Sequence, residues 1–176
     1  MSVQAERYEG AEPYVFISYS HADRERVLAI VAAMEKRGYR VWYDAKINAG
    51  TKWKSEIANK ISECEAFMMF ISTDFINSHD CMDEAQHAHT DNRKIVPVKM
   101  NLDRGEFPET LKYLLQDHQG FSMHDFPTAE AFVTRLDTEP LFQCCRAETT
   151  QTPAPVASEF PRFPPGCSET VRKTSL

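Results

Sequence analysis

The chain has no run of lysine and arginine longer than two residues, and its formal net charge over 176 residues is −6. A surface that binds nucleic acid needs a basic patch to displace the counterions of the phosphates, and none is laid out here. No window approaches the roughly 18 consecutive apolar residues of a membrane-spanning helix. The polar opening MSVQAERYEGAEPY lacks the apolar centre of a secretory signal. The five cysteines form no Cys-x-x-Cys pair, which argues against a zinc ribbon and a thioredoxin-type site, and they fit no disulfide framework. Neither Gly-x-Gly-x-x-Gly nor Gly-x-x-x-x-Gly-Lys is present, so a Rossmann fingerprint and a P-loop are both missing. Ser18, Ser20 and His21 invite a hydrolase reading, but no Gly-x-Ser-x-Gly elbow accompanies them. These absences point to a cytoplasmic protein with reduced thiols, with neither nucleic acid nor a membrane span to engage.

What the chain does have is a hydrophobic fraction of 42% with 26% charged residues, the balance of an ordinary globular domain. Residues 1–12 read as a flexible N-terminal arm, 13–146 as one folded domain, and 147–176 as a disordered, proline-rich tail. The apolar run YVFISY (Tyr14–Tyr19) predicts a buried strand. A helix follows over Arg24–Arg37, with Val27, Leu28, Val31 and Met34 on one face and Gly38 as its C-cap. Tyr39–Asp44 predicts a second strand, in which Trp42 is expected to pack against that first helix. After the loop AKINAG, Thr51 caps a helix whose Trp53, Ile57, Ile61 and Cys64 recur at helical spacing.

AFMMFIS (Ala66–Ser72) reads as a strand buried on both faces. The loop TDFINSHD leads to a helix over Cys81–Asn92, and a fourth strand covers Ile95–Met100, with Pro97 limiting how central it can be. Gly120–Met123 predicts a short fifth strand and Ala129–Cys144 a last helix. Alternating strands and helices imply a flavodoxin-like, doubly wound parallel sheet of order 2-1-3-4-5. Its ligand crevice lies beyond the carboxyl ends of strands one and three, where SYSHAD and STDFINSHDCMDE emerge.

The segment Ser78–His89 crowds His79, His87, His89, Cys81, Asp80, Asp83 and Glu84 into SHDCMDEAQHAH. Glu84 and His87 form Glu-x-x-His, the spacing of a di-iron helix, but the chain holds no second such pair. Read as a surface helix, the segment turns Cys81, Ala85 and Ala88 inward and leaves Asp83, Gln86, His87 and His89 in water. Glu84 fits that reading least, because it borders the buried side at the crevice end, where a carboxylate needs a partner or a function. Glu56 is a rival carboxylate, placed by the periodicity of its helix toward the exposed flank.

Four blocks, YVFISYSHAD, RGYRVWYDAKINAGTKWKSEIANKISEC, AFMMFISTDFINSHDCMDEAQHA and RKIVPVKM, together resemble a Toll/interleukin-1 receptor (TIR) domain of the bacterial and plant type. The resemblance implies the TIR fold over residues 13–146. In the members that cleave NAD+, a catalytic glutamate follows the third strand in a pattern close to Trp-Cys-x-x-Glu; here Cys81 and Glu84 match, and Asp80 stands where the tryptophan would be. It further implies Tyr19 and Ser20 along the crevice, and Asp44 and Lys46 at a BB loop (Ala45–Thr51) that mediates self-association or binding to other TIR domains. Trp53 would offer the aromatic surface that position 80 lacks. The activity so implied is NAD+ glycohydrolysis, with NAD+ as substrate and no cofactor. A non-catalytic TIR adaptor is the alternative, and a transferase acting on free nucleosides a remoter one.

Overall fold

The computed structural model of the chain describes residues 8–44 and 51–147. Lys46, most of the expected BB loop and the expected tail beyond residue 147 lie outside the described residues.

Strand β1 (Val15–Tyr19) is followed by a single 3-10 turn and helix α1 (Arg24–Lys36). Gly38, at φ +83°, reverses the chain after α1, a conformation glycine adopts without a Cβ clash. Strand β2 (Val41–Tyr43), helix α2 (Thr51–Glu63) and strand β3 (Ala66–Ile71) come next. Then follow α3 (Thr73–Ile76), α4 (His79–Thr90) and β4 (Lys94–Lys99). The chain continues through α5 (Glu109–Leu114), β5 (Phe121–Ser122), α6 (Ala129–Leu136) and α7 (Pro140–Gln143). The strands lie in the order β2-β1-β3-β4-β5, and every pairing is parallel.

The apolar run of β3 alternates between two cores. Met68 and Phe70 face one side, where Val27, Val31 and Met34 of α1 meet Phe132 and Leu136 of α6. Phe67, Met69 and Ile71 face the other, against Ile61 of α2, Ala85 and Ala88 of α4, and Leu111 of α5. A sheet covered by helices on both faces needs no polar face, which is why β1 and β3 carry no hydrophobic–polar alternation.

Four expectations need correction. Trp42 does not pack on α1. It is in register with Phe16 on the neighbouring strand, stacks on that ring at 4.9 Å, and lies 6.1 Å from Trp53, all on the α2 side of the sheet. The expected loop after β3 contains a one-turn helix, because Ser72 accepts a hydrogen bond from Phe75 N–H at 3.1 Å and Phe75 is buried. The expected last helix is two, broken where Pro140 supplies no amide and starts a new turn. Pro97 does not push β4 to an edge, since β4 sits between β3 and β5; β5 pairs only with Val98 and Lys99 and so begins just beyond the proline.

Candidate active site

The carboxyl end of β1 borders a cavity of about 460 Å³ that lies between β1, the end of β2, α2 and α4. This is the strand-order reversal anticipated from the alternation of elements. Ser78 starts α4 by accepting a hydrogen bond from Cys81 N–H at 3.3 Å. With the helix begun there, Cys81, Ala85 and Ala88 fall inward, and Glu84 falls between that buried stripe and the cavity.

Glu84 is held from the sheet. Ser18, 1% exposed near the end of β1, donates its hydroxyl to Glu84 Oε2 at 2.6 Å. Burial raises the Glu84 pKa from an ordinary 4.5 to about 7; the Ser18 hydrogen bond works against that rise, while Asp44, Asp80 and Asp83 add to it. A carboxyl group balanced near neutrality and open to a cavity is the kind of group that catalysis uses.

Asp44 sits opposite, where the chain leaves β2. The Tyr19 hydroxyl donates to its carbonyl at 3.0 Å, and Trp53 Nε1–H donates to its Oδ1 at 3.1 Å. Burial lifts the Tyr19 hydroxyl to about 12, which keeps it a neutral donor. Cys81 is likewise pushed up to about 12 by burial, so it packs the wall as a thiol and is no nucleophile at neutral pH. At the rim, Lys54 of α2 meets Asp80 of α4 at 3.1 Å.

Of the residues singled out in the sequence, Tyr19, Asp44, Trp53, Cys81 and Glu84 all line this one cavity. Ser20 does not: its hydroxyl accepts from Ala22 N–H at 3.4 Å and caps the turn after β1. Glu56 is half-buried and outside the lining. Sequence reasoning missed Ser18 as the partner of Glu84; its place on the Phe16 face of β1, opposite the fourth helix, was the available signal. His87 also lines the cavity, and its Nε2 lies 3.2 Å from Ser62 Oγ and 3.5 Å from Asp91. Both partners meet the same nitrogen, so the trio cannot relay a proton as a hydrolase triad does. Among the described residues, no group of three or more histidines, cysteines or carboxylates is arranged to hold a metal. Nor is any helix among them long and apolar enough to cross a membrane.

Comparison with known proteins agrees with this architecture. The TIR domains of the activated Roq1 resistosome, which recognises the pathogen effector XopQ, superpose with a TM-score of 0.56 at 18% identity, over 71% of this chain and 98% of theirs. The CMP N-glycosidase BcmB of Clostridium botulinum gives 0.52 at 16% identity, over 70% of this chain and 97% of its own. An uncharacterized protein of Sinorhizobium fredii, y4lF, is 32% identical over 95 residues, which are 49% of this chain. The match spans only 29% of that relative's length. The family profile described as TIR domain matches residues 15–136, and the chain belongs to the TIR domain family.

Proposed function

We propose that the protein is an NAD+ glycohydrolase in which Glu84 is the catalytic carboxylate. The observation that carries this reading is Glu84 itself, held by Ser18 at 2.6 Å and set beside a cavity of about 460 Å³ at the strand-order reversal. Nicotinamide in NAD+ is a pyridinium, so breaking its bond to ribose C1′ returns the bonding electron pair to the ring nitrogen. Nicotinamide therefore leaves neutral, and no general acid is needed. What needs help is the positive charge that grows on the ribosyl centre. One ionised carboxylate stabilises that charge or fixes the ribose hydroxyls. Water then adds at C1′ and releases a proton, or an adenine nitrogen of the same molecule takes its place, giving ADP-ribose or a cyclic form.

The acidic lining, Asp44, Asp80, Asp83 and Glu84, favours a cationic ring in the same way. That an N-glycosidase shares the fold adds support, since cleaving a base from a ribosyl carbon is the same class of chemistry. Trp53 is the aromatic surface on which a base would stack, and Tyr19 and Cys81 complete the wall. Self-association through the BB loop would activate the site, and NAD+ as substrate leaves no cofactor to be held. A cytoplasmic setting suits a chain whose described cysteines are all free thiols.

The test is nicotinamide release from NAD+ by protein clustered on beads, with Glu84→Ala alongside. Release that disappears in the variant, while its circular dichroism and assembly stay unchanged, is the expected result. No release from the clustered wild type would sink the enzyme reading. It would favour a non-catalytic adaptor that binds other TIR domains, a reading that the ion-paired Asp80 at the aromatic position of NAD-cleaving relatives already supports.

A further inference from the structure

We infer that Lys54 recognises the phosphates of the substrate, and that Asp80 competes with those phosphates for it. The inference rests on the glycohydrolase reading and names the part of the substrate that the rim selects.

The cavity lining is unbalanced in charge. Among the described residues it carries the carboxylates of Asp44, Asp80, Asp83 and Glu84, and Lys54 is the one lysine or arginine. A cationic nicotinamide riboside suits the carboxylates, but the diphosphate of a dinucleotide is repelled by them. A cation offsets that repulsion, and Lys54 is the one lysine or arginine in the described lining. Phosphate oxygens are strong acceptors for an ammonium group.

The placement agrees with the chemistry. Asp80 and Glu84 are four residues apart on α4, so they share a face about 6 Å apart along the helix axis. Lys54 reaches across from α2 to Asp80 at 3.1 Å. Its ammonium group therefore stands roughly one turn from the level of Glu84. A ribose ring with its 5′ oxygen bridges that span, so C1′ at Glu84 puts the first phosphate at Lys54.

The side chains of Lys54 and Asp80 are 68% and 75% exposed, so this pair is screened and easily exchanged. An incoming phosphate takes Lys54 from Asp80 without dismantling any packing. A tryptophan at position 80 would leave such a lysine without this competitor; an aspartate holds it and weakens phosphate binding. The rim thus favours phosphate-bearing N-glycosides over free nucleosides, with Asp80 setting how strongly.

The experiment compares nicotinamide release from NAD+ with release from nicotinamide riboside, which has the same scissile bond and no phosphate. The expected result is that Lys54→Gln lowers the ratio of kcat/KM for NAD+ to that for the riboside about tenfold, through the KM of NAD+. Lys54→Arg retains the ratio, and Asp80→Asn raises it about threefold. An equal fall on both substrates in Lys54→Gln, or an unchanged ratio, would overturn the inference.

Calorimetry with ADP-ribose and adenosine separates this inference from the glycohydrolase reading. Wild type is expected to prefer ADP-ribose, Lys54→Gln to lose the preference, and Asp80→Asn to strengthen it. A protein that releases no nicotinamide yet shows this pattern overturns the glycohydrolase reading alone. Equal affinity for the two ligands in wild type overturns the role of Lys54 even if NAD+ is cleaved.

Discussion

Ser18 and Glu84 stand 66 residues apart in the chain and 2.6 Å apart in space, the serine hydroxyl donating to Glu84 Oε2. This contact ties the sheet to α4 beside the cavity, fixes the direction of the carboxylate and bears on its charge. A hydroxyl that donates to the ionised form opposes the rise in pKa that burial imposes. Removing it in Ser18→Ala should raise the Glu84 pKa by about one unit, given roughly 1.4 kcal/mol for a hydrogen bond to a charged group. The acid limb of kcat/KM for nicotinamide release, near pH 7 in wild type, should move up by the same amount. Carbon-detected NMR titration of the Glu84 carboxyl reads the shift without reference to turnover. An unmoved titration would mean that Ser18 contributes packing alone.

The same carboxylate makes stability depend on pH. Its folded pKa is raised from 4.5 to about 7, so between those values the native state keeps a proton that the unfolded chain has lost. The advantage of the protonated form is present below pH 4.5 and is lost as pH rises through about 7. Glu84→Gln carries no charge to bury. It should match wild type near pH 5 and exceed it by roughly 2 kcal/mol at pH 8. Urea titrations at the two pH values check this, and a difference that does not grow with pH refutes it.

Asp23 and Ser72 form a second buried link between the segments leaving β1 and β3. Ser72 donates to Asp23 Oδ2 and accepts from Phe75 N–H, so one hydroxyl satisfies a buried carboxylate and caps α3. Ser72→Ala removes both bonds and should cost about 2 kcal/mol in chemical denaturation. The double variant with Asp23→Asn should cost less than the two changes added, because they break one network. Strict additivity would show that the two residues act independently.

The sheet order was legible because apolar runs in β1 and β3 and amphipathic patterns in α1 and α2 leave few ways to pair the strands. Glu84 was legible as a polar residue at the edge of a buried stripe, whereas Tyr19, Asp44 and Trp53, which line the same cavity, were named only through the resemblance to TIR domains. The side Trp42 faces was not, since an unbroken apolar strand carries no alternation to mark it. Ser18 was overlooked for a related reason: within FISYS two serines look equivalent, and only the register of β1 turns one toward Glu84 and the other into a cap. The Lys54–Asp80 pair joins two helices 26 residues apart, a contact that local spacing does not encode.

Gly120 offers a test of how β5 is seated. A Cβ built there would lie 1.9 Å from the Pro97 carbonyl oxygen and 2.9 Å from its carbon. Those are backbone atoms of β4, locked in register with β3 through Met69, so they cannot retreat as a flexible side chain would. Gly120→Ala must instead displace the segment that leads into Phe121. That ring packs edge-on against Phe132 at 5.4 Å, with the Arg135 guanidinium 5.5 Å from its centre, and both contacts would loosen. The expected loss is about 2 kcal/mol or more in chemical denaturation, together with faster amide exchange at Val98 and Lys99, where β5 pairs. Gly105→Ala is the control, since a Cβ there meets nothing within 4 Å and should change stability by less than about 0.5 kcal/mol. Equal effects at the two glycines would show that β5 is not held by close approach to Pro97.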